Sequence, residues 1–244
     1  MTQPKRLASN LWIVDQPNFS TGLAKSGTRM TVIRLTNGSL FLHSPTKLND
    51  ETKRGLEAIG EVRAVVAPSR AHHLFVADYI RAWPGAKLYG PPGLVGDIQD
   101  FRARLGSRSD LRLDSTLGDD PDISWAGQIE QHLFKGAPWL NEVVFFHPSS
   151  RSVIFTDLVS NVPADYKDAR IFYGLVGAKG HFGPHRFVRL MIRDRNAARE
   201  SVAKILKWDF DRVIVTHGNV LESGGKAKFA EAYSYLCAST QSLS

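Results

Sequence analysis

The sequence predicts an α/β protein in which helices cover sheets in layers, with a β-rich first half and a mixed second half. Two observations lead to this prediction. Short runs of β-branched and aromatic residues, each bounded by turn residues, are typical of buried strands. Segments with helical spacing separate these runs, and an alternation of this kind favours helices packed on sheets.

The first half begins with strands joined by tight turns. Strands are predicted at residues 11–14, 30–35 and 39–43. Asn37-Gly38 predicts a hairpin between the last two, because both residues tolerate positive φ. Asn49 is expected to cap a helix that runs to residue 59 and ends at Gly60. The remaining elements predicted here are a strand at 62–66, a helix at 74–83, a strand at 86–89 and a helix at 94–105.

The second half is predicted to contain a further hairpin followed by helices. Strands at 142–147 and 152–156 are expected on either side of a turn at 148–151. Residues 123–134, around Ala126-Gly127, are expected to hold one or two strands. A glycine-rich stretch at 174–184 predicts a mobile loop. The last elements predicted are helices at 187–193, 196–206 and 226–237, with a strand at 213–215 between the second and third.

Size, charge and cysteine content narrow the classes of function. With 244 residues, 43% of them hydrophobic, the chain can bury a substantial core, and we expect one domain over residues 1–244. No apolar run approaches the about 20 residues of a membrane-spanning helix, so no membrane partner is expected. The net charge of +7 comes from scattered basic residues, which makes nucleic acid an unlikely partner. The single cysteine, Cys237, is expected to be buried; it excludes an intrachain disulfide and fits the reducing cytoplasm.

Three predicted strands lead, within a few positions, to residues that can bind a metal. The strand at 62–66 leads to His72-His73, the strand at 152–156 to Asp157, and the strand at 213–215 to His217. Imidazole and carboxylate groups together suit a divalent transition metal. Adjacent histidines can bind the same ion only if the chain turns between them. A buried aspartate needs a cation, hydrogen bonds or a metal. We therefore expect Asp157 to belong to the site; the alternative is that it caps the turn that follows it.

This order of elements and strand ends resembles the metallo-β-lactamase superfamily, a four-layer αβ/βα sandwich with metals at one edge of two facing sheets. The resemblance covers residues from about Met30 to Cys237. Thr156-Asp157-Leu158 looks like the segment of the bridging aspartate, and His217-Gly218 looks like the last histidine motif.

The resemblance breaks at the Thr-His-x-His-x-Asp-His motif, which falls on residues 67–73. In this register Pro68 and Arg70 replace the first two histidines, His72 replaces the aspartate, and His73 keeps the last histidine. One half of the usual two-metal site is therefore dismantled, which indicates a divergent branch of the superfamily with a mononuclear site. The Gly-His loop is matched by residues 136–142, which contain no histidine; Glu142 and the nearby His132 are the alternatives.

Two functions from different classes follow. The first is a metal-dependent hydrolase with one Zn²⁺ or Fe²⁺ held by His73, Asp157 and His217, with help from His72 or Glu142. Water would attack an ester, thioester, lactone or phosphoester, oriented or deprotonated by Asp157 or Glu142. Arg70 or His181 would hold an anionic group of a small-molecule substrate.

The second function is a metal-free sandwich that binds a small molecule or a protein. Pro68 and Arg70 in ligand positions favour it, because a fixed positive charge opposes cation binding. A nucleic-acid function, based on the charge of +7, is the weakest alternative. The substrate, the metal and the oligomeric state stay open.

Overall fold

The computed structural model describes residues 3–17, 27–94, 112–165, 174 and 177–237. Its first sheet consists of β1 (Lys5–Ala8), β2 (Leu11–Gln16), β3 (Thr28–Arg34), β4 (Ser39–His43), β5 (Glu61–Val66), β6 (Lys87–Gly90) and β7 (Ser115–Thr116). These strands lie side by side in chain order. Neighbours from β1 to β4 are antiparallel, and neighbours from β4 to β7 are parallel. The strands β4 and β5 therefore both end at the same edge of the sheet.

The second sheet consists of β8 (Glu130–Leu133), β9 (Val143–His147), β10 (Ser152–Phe155) and β13 (Arg212–Val215), in the order β13-β10-β9-β8. Strands β10 and β13 are parallel, with Phe155 opposite Val215. A small separate sheet pairs β11 (Ser160–Val162) with β12 (His181–Gly183). The parallel pair β10 and β13 delivers the residues that follow both strands to one edge.

Helices cover the outer face of each large sheet. They are α1 (Asp50–Ile59), α2 (Val76–Ala82), α3 (Arg186–Met191), α4 (Arg195–Ile205) and α5 (Gly225–Tyr233), with 3₁₀ turns at Pro148–Ser150 and Ser234–Leu236. The first two pack on the first sheet, where Leu42 of β4 and Leu56 of α1 belong to one buried hydrophobic cluster. The last three pack on the second sheet, where Phe155 belongs to the cluster that includes α5.

The space between the sheets is filled by the alternate side chains of the same strands. Phe41 of β4 faces Phe145 of β9 with ring centroids 5.3 Å apart, whereas Leu42 points to the helices. This alternation follows from the two-residue period of a strand, which sends successive side chains to opposite faces. The architecture is thus helices, sheet, sheet, helices, the predicted four-layer αβ/βα sandwich.

Local sequence signals placed most of the described elements correctly. The hairpin at Asn37-Gly38 forms with Gly38 at φ 83°, and Asn49 caps α1 by accepting a hydrogen bond from the Thr52 N–H at 2.8 Å. Gly60 follows the helix, and β5 begins at Glu61. The predicted helix at 94–105 lies, except for Leu94, outside the described residues.

Two local predictions were wrong, and a third is confirmed by a single strand. The glycine-rich stretch at 174–184 contains strand β12, because its backbone pairs with β11. The prediction of one or two strands within residues 123–134 is confirmed by the single strand β8. The residues around Ala126-Gly127 form the turn before it, which buries Trp125 in the inter-sheet core. Cys237 is exposed, since it comes after the last 3₁₀ turn rather than inside a helix.

Candidate metal centre

Asp157 and His217 emerge side by side because the strands that carry them are parallel neighbours. Asp157 follows β10 by two residues, and His217 follows β13 by two residues. The His217 Nε2 atom lies 3.6 Å from the Asp157 Oδ1 atom. Gly218 lets the chain after His217 pass close to β11, because it adopts φ 103° and a Cβ there would collide with the backbone of Asn161.

His72 reaches the same point from the first sheet. It follows β5 in an irregular segment that separates the strand from α2, and its Nε2 atom lies 3.2 Å from the Asp157 Oδ2 atom. The rings of His72 and His217 have centroids 5.3 Å apart. One ligand atom from each of His72, Asp157 and His217 lies within 4.8 Å of the others. The carboxylate is therefore bracketed by two imidazoles from opposite sheets.

Each of the two histidines is held by its other ring nitrogen. The His217 Nδ1 atom lies 2.9 Å from the carbonyl oxygen of Gly27, which can only accept, so Nδ1 carries a proton and donates it. The His72 Nδ1 atom lies 3.0 Å from the Ser44 hydroxyl, and Ser44 is buried directly after β4. Partners of this kind orient ligand histidines, because they fix both the ring and the nitrogen left for the ion.

The spacing of the donor atoms fits one tetrahedral metal ion. Zinc bonds to nitrogen or oxygen at about 2.0–2.1 Å, which separates two ligands of a regular tetrahedron by about 3.3 Å. The observed separations are close to that value, 3.2 Å from His72 Nε2 to Oδ2 and 3.6 Å from His217 Nε2 to Oδ1 of Asp157, and one ligand atom of each residue lies within 4.8 Å of the others. Two imidazoles and a carboxylate are also a known catalytic zinc set, with a fourth position left for water or substrate. The residues present therefore fit a mononuclear divalent site.

The electrostatics of the metal-free group centre on Asp157. Burial raises the pKa of this carboxyl, but the imidazoles of His72 and His217 outweigh it and hold the pKa well below its usual range. Burial lowers the pKa of His72, yet the Asp157 and Glu142 carboxylates outweigh it and raise the pKa. Burial dominates at His217 and lowers its pKa. Without a metal, His72 and Asp157 thus form an ion pair beside a neutral His217.

Glu142 fixes the loop that carries Asp157. Its buried carboxylate accepts hydrogen bonds from the backbone N–H groups of Thr156, Asp157 and Leu158 at 2.7, 2.8 and 2.9 Å. Burial raises the pKa of Glu142 to about 7, and the Asp157 charge reinforces this, although hydrogen bonds from Thr156 and Leu158 oppose the shift. Both oxygens face backbone donors, so Glu142 positions Asp157 and is not part of the three-residue group.

Arg29 fixes the loop that carries His217, and sequence reasoning missed it. Its guanidinium leaves the first sheet, pairs with Asp15 at 2.7 Å, and donates to the carbonyls of Val215 and Gly218 at 2.7 and 2.9 Å. These two carbonyls flank His217. Ser44 and Gly27 were missed as well. Each of these partners is far from its target along the chain, so no local pattern marks the pairs.

Two residues proposed from the sequence lie beside the group rather than in it. His73 is not among the three convergent residues; its Nδ1 atom donates to the Arg70 carbonyl 2.8 Å away. The Arg70 guanidinium lies 5.9 Å from the ring of Trp139 and 3.5 Å from the Pro138 carbonyl. The sequence predicts His73 as the main ligand, with His72 assisting it. In the structure His72 points to Asp157 instead, because the chain turns after β5.

The other histidines named from the sequence have different surroundings. His132 is buried on β8 and bonds to Asp119 at 2.8 Å, away from the group. His147 lies at the far end of β9, between the hydroxyls of Ser149 and Ser150.

Two more histidines lie closer to the group. His43 is buried under the site, with the edge of its ring against Phe145, and burial lowers its pKa to about 3. His185 caps α3, and its imidazole is near enough to Asp157 to help lower the pKa of that carboxyl. The spacing of His181 and His185 was the only sequence signal for the latter.

Fold and site together define a divergent metallo-β-lactamase fold in which a His-Asp-His group lies at one edge of the two facing sheets. Residues 8–173 match the family described as Domain of unknown function (DUF4336), and the chain belongs to that family. A search of curated protein sequences with this chain found no match.

Solved structures share the fold at low identity. The metallo-beta-lactamase from Pontibacter korlensis is 14% identical, with a TM-score of 0.60 over 97% of this chain and 99% of that one. The metallo-beta-lactamase from Erythrobacter litoralis is 12% identical, with a TM-score of 0.61 over 96% and 94%. FIM-1 from Pseudomonas aeruginosa, solved in a mono-zinc form, is 11% identical, with a TM-score of 0.58 over 96% and 92%.

Proposed function

We propose that the chain binds one divalent transition-metal ion, Zn²⁺ or Fe²⁺, through His72, Asp157 and His217, and hydrolyses a small molecule with it. The convergence of three donor atoms at separations of 3.2 and 3.6 Å supports this proposal most directly. Both imidazoles are already oriented by other partners, so binding an ion needs little rearrangement. We also propose a single domain, since one pair of sheets carries all four layers.

A bound divalent metal would supply a water with its pKa lowered from about 15.7 toward ~7, and it would polarise a carbonyl or phosphoryl oxygen. The residues of the chain would do the rest. His72 would give up the proton that its Nε2 atom shares with Asp157. Glu142 would keep the Asp157 backbone in place through three hydrogen bonds. The bond broken would belong to an ester, thioester, lactone or phosphoester.

Arg70 is the residue that we propose to bind an anionic group of the substrate. It precedes His72 by two residues, and its guanidinium lies beside the exposed Trp139 ring. A guanidinium matches carboxylate and phosphate groups through two parallel hydrogen bonds. The guanidinium also lies 3.5 Å from the Pro138 carbonyl, next to Trp139 in the chain.

A metal-free binding module is the second candidate, and one observation favours it. Without an ion the three side chains already have polar partners, because His72 pairs with Asp157 and His217 donates a hydrogen bond to the Gly27 carbonyl. The fold does not need a metal to satisfy these side chains. In this case the cleft would bind an anionic small molecule through Arg70.

An activity screen on metal-defined protein tests the proposal. The full chain, freed of metal and then reloaded with Zn²⁺ or Fe²⁺, is assayed against ester, thioester, lactone and phosphoester substrates. We expect activity only in the loaded protein, lost in Asp157→Ala and His217→Ala and kept in His147→Ala, a histidine at the opposite end of the second sheet. Stoichiometric metal without turnover of any class would refute hydrolysis and favour the binding module.

A further inference from the structure

Four of the five large hydrophobic side chains that are exposed in the described part of the chain lie around the candidate site. They are Leu74 at 38%, Trp139 at 65%, Phe187 at 54% and Leu190 at 72% exposed, whereas the fifth, Ile123, lies elsewhere. Single exposed hydrophobic residues are normal in any protein. A concentration of four in the segments that surround one site is not expected from scatter, and it indicates an interaction surface.

Contacts in the structure connect these segments to one another and to the site. Leu74 follows His72 by two residues, and Trp139 lies against Arg70. The loop of Trp139 contacts the end of α3, since the backbone N–H of Arg193 donates to the Gly136 carbonyl at 2.8 Å. His185, the residue before α3, lies near enough to Asp157 to help hold the pKa of that carboxyl low.

Helix α3 presents two of these side chains outward. Phe187 and Leu190 are three residues apart and thus lie on one face of the helix. Val188 on the other face, and Ile192 directly after the helix, are buried in the core of the second sheet. These buried residues hold the helix on the protein, while the exposed Phe187 ring stacks on His185 with centroids 6.4 Å apart.

The charge of the same segments is mainly positive. Residues 67–77, 135–141 and 178–193 contain six Lys or Arg residues and no Asp or Glu, and each range is followed by one acidic residue, namely Asp78, Glu142 and Asp194. Arg186 and Arg193 are exposed on either side of the Phe187 and Leu190 pair. We name Arg70, Trp139, Arg186, Phe187, Leu190 and Arg193 the cationic rim. Its charge is complementary to an anionic partner.

We propose that the cationic rim docks the protein on an anionic lipid surface, with the His72-Asp157-His217 group facing the lipid. Exposed Trp, Phe and Leu side chains bordered by arginines are the composition of interfacial binding segments, in which the apolar groups insert and the cations contact headgroups. Aliphatic Leu190, the most exposed of the four, has no use in stacking on nucleobases, which favours lipid over nucleic acid.

The proposal revises the expectation that no membrane takes part. That expectation came from the lack of a long apolar run, and among the described residues no helix is long and apolar enough to cross a membrane. Docking at a surface needs no spanning segment. It also does not depend on the proposed metal, because none of the six rim residues belongs to the three-residue group.

Vesicle co-sedimentation of the full chain tests the docking. Vesicles of phosphatidylcholine alone are compared with vesicles of equal parts phosphatidylcholine and phosphatidylglycerol. We expect binding to the mixed vesicles that weakens with added salt, and little binding to phosphatidylcholine alone. The double variant Phe187→Ser with Leu190→Ser should lower the partition coefficient about tenfold or more. Arg186→Gln with Arg193→Gln should lower it and reduce the salt dependence.

Ile123→Ser is the matched control. Ile123 is 92% exposed, and its turn contacts the opposite end of the first sheet, where Gln128 accepts a hydrogen bond from the Thr36 N–H. This variant should bind like the wild type, and so should wild type treated with chelator. Metal content measured on the same samples separates failure of docking from failure of the metal site.

Three results would overturn the proposal. The first is no binding of the wild type to mixed vesicles. The second is binding that is unchanged in the Phe187 and Leu190 variant and equally strong to single-stranded DNA, which would make the rim a site for polyanions. The third is a dimer without vesicles that the same variant converts to monomer, which would make the rim an interface between two copies.

Discussion

Replacing Arg29 by Met is expected to loosen the loop that holds His217. The guanidinium donates to the Val215 carbonyl at 2.7 Å and to the Gly218 carbonyl at 2.9 Å, and pairs with Asp15. Hydrogen bonds that involve a charged group contribute about 1.5–3 kcal/mol each. The Val215 residue is fully buried, so its carbonyl is not solvated when the arginine is gone, whereas Gly218 is partly exposed.

The magnitude follows from these two contacts. One full loss at Val215 and a partial loss at Gly218 add to about 2–4 kcal/mol in the free energy of unfolding. Because His217 lies between the two carbonyls, the affinity for Zn²⁺ should also fall, by about tenfold or more, as for other groups that orient metal ligands. Arg29→Lys, which keeps the charge but lacks the planar fork, should fall between wild type and Arg29→Met.

Urea unfolding in chelator and competitive Zn²⁺ titration measure the two effects. Arg63→Met is the control, because Arg63 is exposed and pairs only with an exposed Glu61 in the described structure; its unfolding free energy should change by less than about 0.5 kcal/mol. If Arg29→Met behaved like Arg63→Met in both assays, the claim that the hydrogen bonds of Arg29 to the Val215 and Gly218 carbonyls position His217 would be refuted.

Three further predictions concern neighbouring groups. Glu142→Ala leaves the N–H groups of residues 156–158 without their acceptor and should cost about 3 kcal/mol in urea unfolding; a loss as small as that of the exposed Glu130→Ala contradicts this. Burial lowers the pKa of His43 from 6.5 to about 3. As the pH drops, the His43 imidazole therefore takes up a proton in the unfolded chain before it does so in the folded protein. Each pH unit below 6.5 should lower the unfolding free energy by up to about 1.4 kcal/mol. His43→Leu, unfolded in chelator across that range, should show a shallower slope, and an unchanged slope argues against a buried neutral imidazole. The pKa of His72 is raised, so protons compete with metal already near neutrality; Zn²⁺ affinity should be weaker at pH ~6 than at pH ~8, and equal affinities would exclude His72 as a ligand.

The layers and strand ends were predictable because their causes are local. The alternation of Leu40, Phe41 and Leu42 reports which side faces the helices and which faces the second sheet, since the strand period is two. Asn37-Gly38 and Asn49 act through their own backbone neighbourhood. Apolar runs placed Asp157 and His217 after strands, whereas the parallel pairing of those two strands was not predicted.

The site itself was only partly predictable, because its geometry depends on contacts between distant segments. The residues from Ala67 to Phe75 form no regular element, so no periodicity decides whether His72 or His73 points to Asp157. The hydrogen bonds of Arg29 to Val215 and Gly218 span 186 and 189 residues of sequence. Nothing in the sequence around Glu142 indicates that three backbone N–H groups donate hydrogen bonds to its carboxylate.

Metal content of the untagged protein, purified without chelator, tests the central claim most directly. Elemental mass spectrometry is applied to the wild type and to His72→Ala, His73→Ala, His217→Ala and His147→Ala, before and after incubation with Zn²⁺ and Fe²⁺. The geometry predicts one ion per chain in the wild type and in His147→Ala, and loss of that ion in His72→Ala and His217→Ala. His73→Ala should retain it. No metal in the wild type after incubation, or metal kept in His72→Ala but lost in His73→Ala, would contradict the assigned site.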